Sequence, residues 1–403
     1  MSSSADAESS LRKRLFLPVL LLSSFAIFAV VVFMNILLLN IAKSLNVSVG
    51  TMGQIATISA VTSVIVGLGA SALSVRFKAK SMFLWGLVIY AVGLMGYFFA
   101  PNFLTMLAFA PVTDAGGILA GVMIMTLIGE QMPLQRRGWA IGLVIGATFA
   151  ANFIVPQVSV VIFNLEGWRA VLTWFLLPVT IVSLILSWLV LQSTKLQSVE
   201  EKPEFSKAYK QIFLNKSAFS CVLSNGIIYF GMSVVLYLAA FYQISFGVSV
   251  GTAALYYSVV SLIAIASSVV GGKLINRVGR KNLAIIGTFF CGLTTVLMAF
   301  TALGVSVALW VANASSAAIG LAAISALALE QVPGFRGSMM SVNTTFRYIG
   351  SVLGPLVGGF ALNLYRNNFQ IVFAIFGVAM IVAVPLIAFL SIDPCRGAKV
   401  TIP

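Results

Sequence analysis

The chain reads as an all-α membrane protein, with twelve transmembrane helices in two pseudo-symmetric six-helix halves. Three observations predict this: a composition too apolar for a water-covered body, twelve long apolar runs, and an internal repeat of about 200 residues. Of its 403 residues, 60% are hydrophobic and 8% are charged, and the mean hydropathy is +1.07. Soluble domains carry about 25% charged residues. The bilayer is therefore the main solvent, and each span needs about 20 apolar residues.

The elements follow in order. The first run, 15–41, lies behind Arg12, Lys13 and Arg14 and is too long for the core of a cleavable signal peptide. Runs at 52–74, 81–100, 103–128, 138–163 and 169–191 complete six spans, so residues 1–191 form the predicted N-terminal half. The loop 192–217 is the predicted linker. In it Phe205, Tyr209, Ile212 and Phe213 share one helical face and Lys207 and Lys210 the other, the pattern of a short amphipathic helix on the membrane surface. Runs at 218–242, 251–271, 282–303, 305–329, 337–364 and 369–391 make the C-terminal half, 218–403.

Lys and Arg orient the spans. An even span count puts both termini on one side, and that side holds 20 of the basic residues against 3 opposite, with Arg347 inside a span. Both termini are expected in the cytoplasm of a cell-membrane protein. The net charge of +14 is then a topology signal and not a nucleic-acid footprint.

Composition also excludes chemistry. With no histidine there is no Ser-His-Asp triad and no His-bearing zinc site. Cys221, Cys291 and Cys395 imply no disulfide framework. No phosphate-cradling Gly-x-x-x-x-Gly-Lys-Ser/Thr occurs. An enzyme, a cofactor and a metal centre are not expected.

The repeat says more. Val47-Ser48-Val49-Gly50-Thr51 recurs as Val248-Ser249-Val250-Gly251-Thr252, Arg76 matches Arg277, Glu130-Gln131-Met132-Pro133 matches Glu330-Gln331-Val332-Pro333, and Pro156 matches Pro355, at offsets of 199 to 201. Two halves in the same orientation form a parallel repeat, the architecture of carriers that hold substrate near the midplane and rock one half against the other. One chain supplies a full pathway, so a monomer suffices.

These residues resemble the major facilitator superfamily over essentially the whole chain. The likeness rests on Gly272-Lys273-Leu274-Ile275-Asn276-Arg277-Val278-Gly279-Arg280-Lys281, which follows the family's loop Gly-x-Leu-x-Asp-Arg-x-Gly-Arg-Lys/Arg with Asn in the Asp position. The first copy, Ser71-Ala72-Leu73-Ser74-Val75-Arg76-Phe77-Lys78-Ala79-Lys80, keeps the Leu, the Arg and the last basic residue. The resemblance implies a latch on the cytoplasmic side, with Glu130 and Glu330 facing Arg76 and Arg277. Arg137, Asn276, Arg280 and Arg336 lie in the same gating set. Gly350-Ser-Val-Leu-Gly354-Pro355-Leu-Val-Gly358-Gly359 is similar to a stretch that drug/proton antiporters carry in span five, though here it lies in span eleven.

Two ionisable side chains fall well inside spans: Asp114 and Arg347, each about eleven residues in. An intramembrane charge costs roughly 2.5–3.5 kcal/mol on insertion scales and marks function by default. Asp114 is expected to load and release protons. Arg347 can bind an anion, pack, or pair with Asp114 in one state. Asn35, Thr113, Asn225, Tyr229, Asn313 and Asn343 join them as candidate lining of a substrate cavity, although each alone is as well suited to a helix–helix hydrogen bond. The expected partners are a small-molecule substrate, protons and membrane lipids. The leading expectation is proton-coupled efflux of a lipophilic or drug-like compound. The rivals are an uptake carrier for an anionic metabolite and a transport-inactive sensor or scaffold.

Overall fold

Backbone hydrogen bonds unsatisfied in hydrocarbon cost several kcal/mol each, so a chain this apolar closes them within helices. The computed structural model describes residues 2–73, 77–192 and 205–394, apart from the side chains at 2–13, 68, 71–73, 134–135, 137–138, 205–209, 269, 272–273, 276, 334 and 336–337. The long helices are α1 (Ser2–Ser44), α2 (Val49–Leu73), α3 (Ala79–Phe99), α4 (Phe103–Gln131), α5 (Leu134–Glu166) and α6 (Trp168–Val190). A short α7 (Phe205–Leu214) leads to α8 (Lys216–Phe246), α9 (Val250–Val278), α10 (Arg280–Met298), α11 (Leu303–Leu329), α12 (Arg336–Leu364) and α13 (Phe369–Leu390).

Among the described residues, eleven of these helices are long and apolar enough to cross a membrane. The twelfth expected span, α12, has 29 residues, about 43 Å at 1.5 Å per residue. Its length suffices, and Asn343, Thr344, Thr345, Arg347 and Tyr348 are what lower its hydropathy. In α6 a π turn at Leu172–Leu176 precedes Pro178. Proline has no N–H to donate and its ring crowds the carbonyl four residues back, so the helix widens there and continues.

Contacts divide the chain into two units. Unit 1 comprises Met1–Ser48, Val61–Glu200 and Tyr242–Ser258; unit 2 comprises Val49–Ala60, Glu201–Phe241 and Val259–Pro403. In unit 1 the Tyr242–Ser258 segment packs on α5, where the Ser258 hydroxyl donates to Phe153 O (3.0 Å) and Gln157 Nε2 donates to Ser258 Oγ (3.1 Å). In unit 2 the Val49–Ala60 segment meets α12, where Gln54 Nε2 donates to Leu356 O (3.4 Å) and Asn363 Nδ2 to Thr51 Oγ1 (3.3 Å).

The repeat carries into packing. In unit 1, a Cβ on Gly86 of α3 would stand 2.7 Å from Ala120 N of α4. In unit 2, a Cβ on Gly287 of α10 would stand 2.6 Å from Gly320 Cα of α11. Gly86 and Gly287 are 201 residues apart, and Ala120 and Gly320 are 200 apart. Small residues at these points let the two backbones approach closely, which is how helices associate where no hydrophobic force separates protein from solvent.

The linker contains a helix, α7. Ile212 is fully buried in the unit 2 core with Ala218 and Val222, while Lys210 is exposed, as a two-faced helix requires. Phe213 packs at 6.0 Å on Phe219. The rest of the linker, 193–204, lies outside the described residues.

Candidate functional site

Unit 1 surrounds Asp114 with phenols. Close packing of α3 on α4 puts Thr113 against Gly93, and Asp114, the next residue along, turns toward Tyr90 and Tyr97 of α3. Both tyrosines are buried and lie within electrostatic reach of the Asp114 carboxylate. Tyr90 Oη donates to Ala26 O (2.9 Å) or Ile27 O (3.1 Å) and so ties α3 to α1. The Thr113 hydroxyl donates to Phe109 O at 3.1 Å. Asp114 itself is half-buried, with Oδ2 sealed from solvent. On α1, Asn35 Nδ2 donates to Tyr257 Oη at 3.5 Å.

Unit 2 holds Arg347 in an aromatic cage. Its guanidinium carbon lies 5.1 Å from the Tyr348 ring centroid and 5.6 Å from that of Tyr229. Two ring faces at these distances stabilise a cation by roughly 0.5–2 kcal/mol each, more as water is excluded. Tyr229 reaches Arg347 because α8 and α12 touch along a glycine seam: a Cβ on Gly226 would stand 2.9 Å from Phe346 O, and Gly354 lies against Ser233. Of the glycines that resemble an antiporter stretch, Gly350 and Gly354 line that seam, Gly358 meets Tyr237 and Phe376, and Gly359 faces Gln54 and Gly50 of α2.

The other polar candidates are engaged in helix contacts. Asn313 is buried and donates through Nδ2 to Cys291 O and Thr295 Oγ1, each at 2.8 Å, and to Thr294 Oγ1 at 3.1 Å. Asn225 and Asn343 are buried together, Asn225 Nδ2 donating to Asn343 O at 3.3 Å, while the Oδ1 of each has no protein partner. Thr113 and Asn313 sit at repeat offset 200, as Tyr90 and Cys291 sit at 201. The two halves fill equivalent places with different chemistry.

At the loop ends, Arg280 Nη1 lies 3.9 Å from Glu330 Oε1, both side chains half-buried. Arg277 is exposed and Glu130 half-buried. Arg76 and the side chains of Arg137, Asn276 and Arg336 lie outside the described residues. Gly279 has φ +89°, a region that side-chain-bearing residues rarely enter, and it lets α9 turn directly into α10.

Sequence reasoning weighed the glutamates of Glu-Gln-x-Pro and passed over the glutamines. Gln131 Nε2 donates to Gln192 O (3.0 Å) at the end of α6, and Gln331 Nε2 to Ile392 O (2.8 Å) just past α13. Donors and acceptors alike are 200 residues apart. The signal was the identical Gln in both copies. Tyr90 and Tyr97 were also missed, although their seven-residue spacing places them on one face of α3.

A helical body of this hydropathy, with a carboxylate and a guanidinium held at mid-span, defines a multi-pass membrane protein. The family model of the Major Facilitator Superfamily matches residues 19–312 and 222–401, and the chain belongs to that superfamily. It is a transporter of small-molecule substrates and not an enzyme.

Relatives include the multidrug resistance protein 2 of Bacillus subtilis (strain 168), 24% identical over 368 residues and covering 85% of this chain and 87% of the relative. The uncharacterized MFS-type transporter YvkA of the same organism is 22% identical over 393 residues, covering 83% and 87% respectively. Among solved structures, a bacterial homolog of the human lysosomal transporter Spinster, inward-facing and occupied, superposes with a TM-score of 0.79 at 17% identity, covering 93% of this chain and 96% of that one. A D-xylose-proton symporter superposes with a TM-score of 0.77, also at 17% identity, covering 94% and 98%. These structural likenesses carry the fold.

Proposed function

We propose that this transporter exports lipophilic or drug-like compounds in exchange for protons, by alternating access, with Asp114 as the coupling carboxylate. The observation that carries the reading is Asp114 itself. It is the one acid well inside a span, half-buried, with Oδ2 sealed and two buried phenols within electrostatic reach. A carboxylate in such surroundings changes its protonation when water access changes, which is what coupling needs. The multidrug names of relatives at 24–26% identity support the substrate class.

In this reading Asp114 and Asn35 serve the substrate in unit 1, and Tyr229 and Arg347 in unit 2. Thr113, Asn225, Asn313 and Asn343 hold the helices that present it. The Glu330–Arg280 pair, with Glu130, Arg76, Arg137, Asn276, Arg277 and Arg336, gates the cytoplasmic side. In this reading the protein works as a monomer in the cell membrane, and the 20-to-3 distribution of basic residues supports both termini in the cytoplasm.

The cage around Arg347 favours a second reading. Both described partners of the guanidinium are neutral phenols, so its charge is available to an anionic metabolite.

The test is dye accumulation in inside-out vesicles energised by a pH gradient. Wild type should concentrate a lipophilic cation, lose it on adding a protonophore, and fail with Asp114→Asn. Protonophore-insensitive accumulation, or full accumulation by Asp114→Asn at equal protein level, would overturn the reading.

A further inference from the structure

Three sulfur side chains meet in the middle of unit 2, beside Asn313. Cys291 Sγ of α10 lies 3.6 Å from Met380 Sδ of α13 and 3.8 Å from Met232 Sδ of α8. Cys291 and Met380 are buried and Met232 half-buried, in a small apolar cluster with Ala317. Each residue sits near the centre of its own helix: position 12 of 19 in α10, 12 of 22 in α13 and 17 of 31 in α8. Gly231 admits Met380, since a Cβ there would stand 2.9 Å from its sulfur. Asn313 Nδ2 lies 3.5 Å from Cys291 Sγ.

We propose that Met232, Cys291 and Met380 form a site for a soft monovalent cation, Cu(I). The donor set selects the ion. Thiolate and thioether ligands favour Cu(I), whereas imidazole and carboxylate ligands suit harder or divalent metals. Charge selects it too: one thiolate and one monovalent cation make a neutral centre. A divalent ion would leave a net positive charge at mid-membrane, which costs several kcal/mol.

Geometry agrees. Three sulfurs about 2.3 Å from a metal lie about 4.0 Å from one another in a trigonal arrangement, so the two recorded separations need to open by only a few tenths of an ångström. Asn313 Nδ2, whose nearer acceptors are Cys291 O and Thr295 Oγ1, lies at the edge of the site. Binding replaces the thiol proton: Cys–SH plus Cu(I) gives Cys–S–Cu and one released proton, with no change of oxidation state. Half-buried Met232 is the way in.

The experiment uses full-length protein with Cys221→Ser and Cys395→Ser, so that Cys291 is the remaining thiol. The probe is Cu(I), titrated without oxygen against a chromogenic Cu(I) chelator. This protein should hold one Cu(I) per chain, with X-ray absorption showing three sulfur neighbours. Met232→Leu and Met380→Leu preserve side-chain volume and folding, and each should weaken binding at least tenfold. Cys291→Ser should abolish it. Failure of the parent to retain Cu(I) against the chelator would overturn the proposal. So would leucine variants binding as tightly as the parent, which would reduce the site to a solitary thiol. Should Cys291→Ser fail to fold, the two leucine variants decide alone.

Discussion

The α8–α12 seam gives the sharpest test of the packing, because the obstacle facing each glycine differs in kind. A Cβ added at Gly354 would stand 2.5 Å from Ser233 Cβ and 2.8 Å from Phe230 O. Ordinary carbon contacts are about 3.5–4.0 Å, so the neighbour must yield by roughly 1 Å. Overpacking of this size costs about 1–3 kcal/mol. At Gly350 the nearest atoms all belong to backbone, namely Gly226 O and C and Phe230 N. Gly350→Ala should therefore cost at least the upper end of that range, because no side chain can move aside. Ser233→Gly removes the principal obstacle at Gly354 and none at Gly350. In a double-mutant cycle it should recover at least half the loss of Gly354→Ala and leave Gly350→Ala unrelieved. At about 2 °C per kcal/mol for a large chain, thermal unfolding in detergent should show Gly354→Ala falling by about 2–6 °C and the double variant regaining part of it. Equal recovery at both glycines, or neither alanine lowering the midpoint, would refute the seam.

Gln131→Leu removes its bond to Gln192 O, and Gln331→Leu removes those to Ile392 O and Ser217 Oγ, each typically about 0.6 and at most about 1.7 kcal/mol; both should lower the midpoint, Gln331→Leu by more, and no loss in one copy would deny the repeated role. Gly279→Ala forces a side chain into φ +89°, at a cost of about 1–3 kcal/mol; Gly304→Ala, where a Cβ meets nothing within 4 Å, serves as the control and should stay within about 0.5 kcal/mol. Asn313→Leu breaks the links to Cys291 O and Thr295 Oγ1 and leaves buried polar groups without their donor, which should cost about 1–3 kcal/mol by thermal unfolding, leaving transport intact in the surviving protein; abolished transport at normal stability would make Asn313 a cargo contact instead.

Spans, repeat and the short helix α7 were legible because they depend on local periodicity and composition. Even α12 showed as a span, since its apolar run survives the polar residues around Arg347. What the sequence hid depends on which helices touch. Asp114 stood out as a charge in a span, but Tyr90 and Tyr97 became its neighbours only once glycines drew α3 onto α4. Tyr348 lies beside Arg347 in the chain, whereas Tyr229 is 118 residues away and needs the seam to arrive. Asn313 illustrates a general limit: a polar residue at mid-span looks the same in sequence whether it faces cargo or a neighbouring helix. The glutamine tethers were visible as a repeated letter, and their acceptors were backbone carbonyls, which no sequence marks.

The central claim, that Asp114 couples protons to an outgoing lipophilic solute, is tested most directly by substrate-induced proton movement in proteoliposomes. Lipophilic cations, neutral drugs and small carboxylates would be compared for wild type, Asp114→Asn and Arg347→Gln. The account predicts a proton flux triggered by a drug-like compound and abolished by Asp114→Asn. Carboxylate transport that survives Asp114→Asn and is lost with Arg347→Gln would contradict it and make this chain an anion carrier.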